Sequence, residues 1–382
     1  MSNEIVLNHS KPEGTLSSHP WSPSAPPEAG KPLPQTWGKG KGEGEAWREW
    51  ALLRIVIGVM LALLVSAGPV FGKSYLLYLE AQGVVGYDTA EDEAIYYSMN
   101  PLDEMQKPSV GFDYVQRFSG EAGDWGTFAL QMRLAYNEEY RETEDREFQV
   151  QFYNAFFKYK AGFADLWIGH NRIAFGLASY LDSHALLLQP LAFFGYGYDR
   201  DWGVGATRDF DWGNVSLSYS TGTGMPIEFD GNYLAAARIS KGVLSRDNYS
   251  LGFSSAYGKP LETRGFKVLL PDPVKTFLVG ADFTYFWNNI ENRFDVAAGE
   301  KDDDDTYAFL WRIGVNLLEE DRLKLEAQPV YRKIADEWTY EISGGVTYKL
   351  TSDIALRGMY TYDGEINDNR VVFQVYWYYK LL

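Results

Sequence analysis

Cysteine is absent from all 382 residues, so the chain can form no disulfide, offer no thiolate to a metal and attach no haem through Cys-x-x-Cys-His. Histidine is scarce, four in total, and only His170 and His184 follow the apolar segment described below. A hydrolytic triad needs a base beside its nucleophile; Ser183 adjoins His184, but neighbours on an extended chain point opposite ways. Basic charge is also short: 35 Lys and Arg against 52 Asp and Glu leave a net charge of −17. That balance disfavours a nucleic-acid partner, whose phosphates need a basic face. The four aspartates at 302–305 lack the spaced ligands and glycine of a calcium loop, and no glycine-rich phosphate loop joins a strand to a helix. These absences argue against an enzyme, a metal site or a resident cofactor.

Long hydrophobic runs are missing too, with one exception. Mean hydropathy is slightly negative, whereas a helical membrane protein needs about 20 consecutive apolar residues per span. The single such run lies at 52–71, preceded by Arg48 and followed by Gly72. Its positive flank, modest apolar centre and small closing residues read as a secretory signal peptide over 48–72, cut after Gly72. A lone membrane anchor is the alternative. Residues 1–47 hold Pro-Ser-Ala-Pro-Pro-Glu and Gly-Lys-Gly-Lys-Gly-Glu-Gly-Glu and cannot bury a core, so they are expected to be disordered. They represent either a start assigned too early or a cytoplasmic extension. Residues 73–382 then form one large domain. Six residues of each sign precede Lys73, so 29 basic and 46 acidic residues remain and the charge stays at −17.

What the chain has in quantity is aromatic residues, 16% of the total, with 27 Tyr, 22 Phe and 12 Trp beside 37 Gly. They fall in alternation. In the closing stretch 370–382, Val371, Phe373, Val375, Trp377, Tyr379 and Leu381 share one face while Gln374 and Lys380 face the other way. Similar segments occur at 75–87, 110–119, 125–136, 148–160, 165–171, 202–210, 214–221, 232–240, 249–257, 263–270, 276–287, 306–317, 323–334, 338–350 and 354–362. With the last, this makes sixteen. Such repetition predicts an all-β fold, a transmembrane antiparallel up-and-down β-barrel. The tract at 263–270 is the weakest, and parity asks for it, because a chain that starts and ends at one rim needs an even number of strands. Short connections at 120–124, 161–164, near 211, 241–248, 271–275, 318–322 and 350–353 are expected as periplasmic turns. Longer, acidic ones at 88–106, 137–147 and 288–305 are expected as extracellular loops. The short connection at 335–337 breaks that pattern, so fourteen or eighteen strands would also fit.

Alternation also bears on the interior. Phe128, Leu130, Met132 and Leu134, or Phe277, Val279, Ala281, Phe283 and Tyr285, face out, and Gln131, Arg133, Asp282 and Thr284 face in. Unpaired charges in a dry core cost several kcal/mol each, roughly, so a water-filled lumen is expected. Asn154 is a blemish, since it shares the phase of Val150 and Phe152. Trp125, Trp202, Trp287 and Trp338 at strand ends suit interfacial girdles. The inward phase collects Arg117, Arg133, Arg238, Arg312, Lys324, Arg332, Lys349 and Arg357 against Asp113, Asp282, Glu326 and Glu341. Rings of basic residues favour anions, which predicts a weak anion preference; the alternative is a lattice of paired charges that selects little.

The stretch Gly162-Phe-Ala-Asp-Leu-Trp-Ile-Gly-His-Asn-Arg-Ile-Ala-Phe-Gly-Leu177 is similar to the strand-then-Gly-Arg-x-x-x-Phe-Gly-Leu segment of the phosphate-selective (O/P type) porins. Gly169, Phe175, Gly176 and Leu177 match, while His170, Asn171, Arg172 and Ala174 depart, as does the terminal Leu382 where porins usually end in Phe. The resemblance implies a Gram-negative outer-membrane channel of sixteen strands, often trimeric, that passes small hydrophilic solutes or ions. It also implies a third extracellular loop folded into the lumen. Residues 172–200, too apolar for an exposed loop, then form the constriction loop, with Arg172, Phe175, Asp182, His184 and Arg200 as its candidate site residues. The alternative places this loop over the barrel mouth or against a neighbouring subunit. A second functional expectation is a barrel that sheathes a partner such as a multihaem cytochrome, whose haems the cysteine-free chain could not hold itself.

Overall fold

The computed structural model describes residues 73–98, 106–121, 123–136, 148–334 and 337–382. The expected disordered extension 1–47, the signal segment 48–72 and the loop 137–147 lie outside them. The described chain forms sixteen antiparallel barrel strands. The first four are β1 (Lys73–Asp88), β2 (Ser109–Gly120), β3 (Gly123–Tyr136) and β4 (Phe148–Lys160). Next come β5 (Asp165–Arg172), β6 (Arg200–Phe210), β7 (Gly213–Ser220) and β8 (Tyr233–Lys241). Then follow β9 (Tyr249–Lys259), β10 (Thr276–Trp287), β11 (Ile290–Lys301) and β12 (Asp304–Leu317). The last are β13 (Leu323–Ile334), β14 (Glu337–Lys349), β15 (Ile354–Asp363) and β16 (Asp368–Lys380). Each pairs with its sequence neighbours, and β1 pairs with β16 from Tyr78 opposite Lys380 to Asp88 opposite Arg370, which closes the cylinder. Closure leaves no open edge, which is the condition for a sheet to span lipid.

The expected number of strands holds, but through two errors that cancel. Residues 263–270 are not a barrel strand: Glu262–Arg264 and Lys267–Leu270 form a hairpin of their own within the fifth loop. The expected loop at 288–305 is instead β11, between tight turns at Asn288-Asn289 and Asp302-Asp303. Asn288, Asp302 and Asp303 take positive φ of 53°, 50° and 69°, which suits two-residue hairpin turns. The segment looked like a loop because its inward side chains, Glu291, Arg293 and Asp295, are charged. Its outward Phe294 nevertheless lies against Phe283 and Trp311 at ring separations of 6.2 and 5.8 Å. It follows that 271–275 lies at the rim of the longer loops and 288–289 at the rim of short turns.

The outer surface carries exposed Val204, Phe253, Val279, Phe309, Tyr331, Ile342, Phe373 and Val375, among others. So wide an apolar belt belongs in lipid, not water. Trp125, Trp287 and Trp338 are exposed, as a girdle requires. Trp202 is half-buried, its ring packing 4.8 Å from His170 and 6.1 Å from Phe152. Asn154 is explained by a β-bulge. The ladder passes from Gln131–Asn154 to Met132–Phe152 and skips Tyr153, so both Tyr153 and Asn154 turn to the interior.

Candidate channel lumen and its third loop

The third loop, 173–199, lies inside the barrel. Apart from Asp182, every residue in it is buried or half-buried. It enters with an unusual backbone: Gly176 sits at φ 57°, and a Cβ there would come 3.1 Å from an Asp295 carboxylate oxygen, so glycine is required for that close approach. Short 3-10 turns follow at Leu177–Ser179 and Leu191–Phe194. Hydrogen bonds then fix the loop around the wall. Gly176 and Leu177 donate backbone N–H to Ser254 and Asp295 at 3.1 and 3.3 Å. The Tyr180 hydroxyl meets Thr284 Oγ1 at 2.8 Å. Arg312 donates to Leu188 O at 2.9 Å and Gln328 to Gln189 O at 3.0 Å, and the Tyr196 hydroxyl donates to Lys333 O at 3.1 Å.

Apolar burial explains why the loop stays in. Ile173, Phe175, Leu191, Phe193, Phe194 and Tyr196 pack on Leu234, Ala236, Ala256, Leu278, Ala297, Ala308, Leu310 and Val330 of β8–β13. The alanines leave room for the loop's rings, and each fully buried Leu or Phe contributes about 1.5–3 kcal/mol. This corrects the expectation of a water-filled lumen along β8–β13, where the loop takes the place of water. The wall is apolar and dry where those side chains meet the loop, and charged residues of the same and neighbouring strands lie beside these contacts.

The charges fall into three groups. Around the bulge, buried Arg133 donates to Gln151, Gln106 and the Tyr153 hydroxyl at 2.9, 3.1 and 2.8 Å, with the Tyr153 ring 4.4 Å beneath its guanidinium. Arg200 bonds Asn154 Oδ1 at 3.1 Å, and pairs with Asp199 and with Asp182, the latter at 3.3 Å. Arg172 lies 3.0 Å from Asp182, and His184 Nε2 lies 2.9 Å from Glu80 and 3.1 Å from Gln131. Desolvation at the wall would raise the Asp182 carboxyl, but the Arg172 and Arg200 guanidiniums outweigh it and hold the group below the usual carboxylate range. Asp113 nearby accepts from the Tyr378 hydroxyl at 2.8 Å. The Ser183 hydroxyl meets Arg200 at 3.4 Å, not the His184 ring, so this neighbouring pair has no nucleophile geometry.

The second group is a bidentate pair. Arg238 donates from Nε and Nη2 to Asp282 at 2.9 and 2.7 Å, and its guanidinium lies 4.7 Å over the Tyr180 ring of the loop. The third group lines β11–β16. Lys324 pairs with Glu291 at 2.9 Å and Glu326 at 3.0 Å, and Arg293 pairs with Glu291 at 3.1 Å. Arg312 bonds Gln328 at 2.6 Å and Arg357 bonds Gln374 at 2.8 Å. Arg332 lies 5.1 Å over the Phe194 ring. Glu341 accepts from Ser343 at 3.1 Å, and Arg370 pairs with Asp368 at 3.1 Å. Arg117 and Lys349 are exposed, near the rim of short turns.

Of the expected loop residues, Arg172, Asp182, His184 and Arg200 converge on one patch while Phe175 packs on the apolar side. Glu291, Arg293 and Asp295, on the strand expected as a loop, also reach the interior, as do Glu80, Tyr153, Asp363, Asp368 and Arg370, which the sequence pattern does not single out. Period-two phase within 290–301 would have found the first three. The additions are mostly acidic, which removes much of the basic excess expected of the wall.

No family model matches the chain, and no curated protein matches it. Solved structures do. The barrel is similar to a loop-deletion variant of OmpT, an outer membrane protein of Vibrio cholerae, with TM-score 0.57 and 12% identity over 80% of this chain and 99% of that one. It is also similar to Salmonella typhi OmpF in complex with daunomycin, with TM-score 0.57 and 13% identity over 81% and 98%. A third is the anion-selective porin of Comamonas acidovorans, with TM-score 0.53 and 10% identity over 81% and 100%. The fold is that of the sixteen-stranded porin barrels.

Proposed function

We propose that this barrel is a diffusion channel of a Gram-negative outer membrane, passing small hydrophilic solutes and ions through a lumen narrowed by the third loop. The observation that carries this is the division of surfaces: a closed cylinder, apolar outside, with charged groups on its inner wall and one long loop folded among them. A wall of this kind serves no packing purpose, because ion pairs buried for stability alone are worth little against apolar replacements. In this reading residues 48–72 direct export, the longer loops face the cell exterior and the short turns face the periplasm. The resemblance to phosphate-selective porins and their trimers extends the proposal to a trimeric assembly, which native mass spectrometry in detergent would test.

Weak anion preference is the finer part of the reading, and the described wall weighs against a strong one. Lys324, Arg293, Arg238 and Arg370 each face a carboxylate, so the net field on a passing ion is small. Reversal potential of the purified protein in a planar bilayer under a potassium chloride gradient tests this. A shift toward the chloride potential supports anion preference; a shift toward the potassium potential refutes it. The sheath reading is less favoured, because the chain's own third loop occupies the space that a partner would need.

A further inference from the structure

Two voids stacked along β13–β15 are not accounted for by the narrowing loop alone. The one toward the loop rim, a small cavity of about 10 Å³ with room for a water molecule, is lined by Gln328, Glu341, Ser343, Thr361 and Arg370. The one toward the turn rim, of similar size at about 10 Å³, is lined by Arg312, Glu326, Thr347 and Arg357. Strand direction fixes their order. β14 descends from the loop rim and passes Glu341 and Ser343 before Gly345 and Thr347, while β13 and β15 ascend and meet the lower void first, at Glu326 and Arg357. Leu187 and Leu188 line both voids. They are the partition between them.

That partition is apolar and removable. Leu187 and Leu188 are each 5% exposed and pack with Met359, Val372, Val84 and Ile95. Facing them, Gly345 presents no side chain; a Cβ there would come 3.3 Å from Leu188 Cδ1. The loop is tied here through its backbone, by Arg312 to Leu188 O and Gln328 to Gln189 O. The leucine side chains carry none of those ties, so they can change rotamer while the loop stays anchored. On the opposite wall, β8–β12, rings of the loop pack against alanine and leucine.

We propose that Leu187 and Leu188 form a hydrophobic gate on a permeation path along β13–β15, between two water-sized polar cavities that each carry charges of both signs. This rests on the channel function proposed above and adds where solute passes and what limits it. An apolar neck between polar cavities restricts ions by dewetting, so its width and polarity set conductance.

The test uses the full protein in planar bilayers with potassium chloride as the probe. Leu188→Ala raises unitary conductance about two-fold or more if the neck limits flow. Because the chain has no cysteine of its own, Leu188→Cys with Gly345→Cys places a unique pair across the neck. Oxidation then lowers the conductance of that protein severalfold, and reductant restores it. The before-and-after comparison is made on one folded sample, so it does not depend on how well Leu188→Ala folds. A conducting wild type whose current is unaffected by Leu188→Ala or by the redox state of the cysteine pair overturns the gate and leaves the channel standing. Folded protein that conducts in none of these forms overturns both.

Discussion

Replacing Asp282 by leucine should cost the protein about 3 kcal/mol and loosen the third loop. Asp282 and Arg238 are 1% and 5% exposed and share two hydrogen bonds of 2.9 and 2.7 Å. Removing one partner of such a pair leaves a desolvated charge and costs about 3–5 kcal/mol. The lower end applies here because Asp295, the cross-strand neighbour of Asp282, remains nearby to receive the guanidinium in part. Movement of Arg238 also withdraws it from the Tyr180 ring 4.7 Å away, a cation–π contact worth about 0.5–2 kcal/mol. Removing both charges with Arg238→Met and Asp282→Leu should recover most of the loss, since apolar replacement of a buried pair is close to neutral. Urea unfolding in phospholipid vesicles, followed by tryptophan emission, measures each variant. A single substitution that shifts stability by less than about 1 kcal/mol, or a double variant no better than the single, refutes the reasoning. Gly252→Ala offers an independent route to the same pair. A Cβ at that position falls 2.3 Å from both Arg238 Nη2 and Asp282 Oδ2, so it must push the two apart and should destabilise by about 1–3 kcal/mol.

Three further outcomes follow from the same structure. Single cysteines introduced along 290–301 should alternate, with Phe294→Cys and Val296→Cys shielded from charged aqueous reagents by lipid and Arg293→Cys labelled from the lumen; uniform labelling would return this segment to a loop. Phe294→Arg places a charge on the lipid face and should cost about 2–4 kcal/mol of stability in bilayers, if β11 crosses near the midplane, whereas unchanged unfolding would deny that β11 spans. The Asp182 carboxyl is held below its ordinary value by Arg172 and Arg200. Its contribution to stability is therefore complete above the unfolded value of about 4 and fades as pH falls through the folded one. Asp182→Asn should remove that part of the acid sensitivity, and an identical acid profile would show that the pairs hold nothing.

How much of this was legible in the chain depended on whether a signal was local. Period-two alternation is local, and it placed fifteen of the barrel strands within a few residues of their positions. β11 escaped because its lumen-facing Glu291, Arg293 and Asp295 raise its charge to that of a loop, and only phase, not composition, distinguishes the two. The hairpin at Glu262–Leu270 was accepted for the complementary reason: parity asked for one more strand, and its apolar Val268-Leu269-Leu270 satisfied the composition. Asn154 looked like a fault until the bulge supplied an extra residue. The third loop announced itself by apolar content, but its contacts at Ser254, Asp295, Gln328 and Lys333 lie far along the chain. Nothing local says that Leu188 will face Gly345, or that Arg312 will hold the carbonyl between them.

Single-channel recording of the purified protein in a planar bilayer tests the central claim most directly. The account predicts discrete, stable conductance steps as barrels insert, lowered severalfold when the cysteine pair across the Leu188 neck is oxidised. Bilayers that stay silent at every voltage, with folded barrel inserted and the third loop removed, would contradict it.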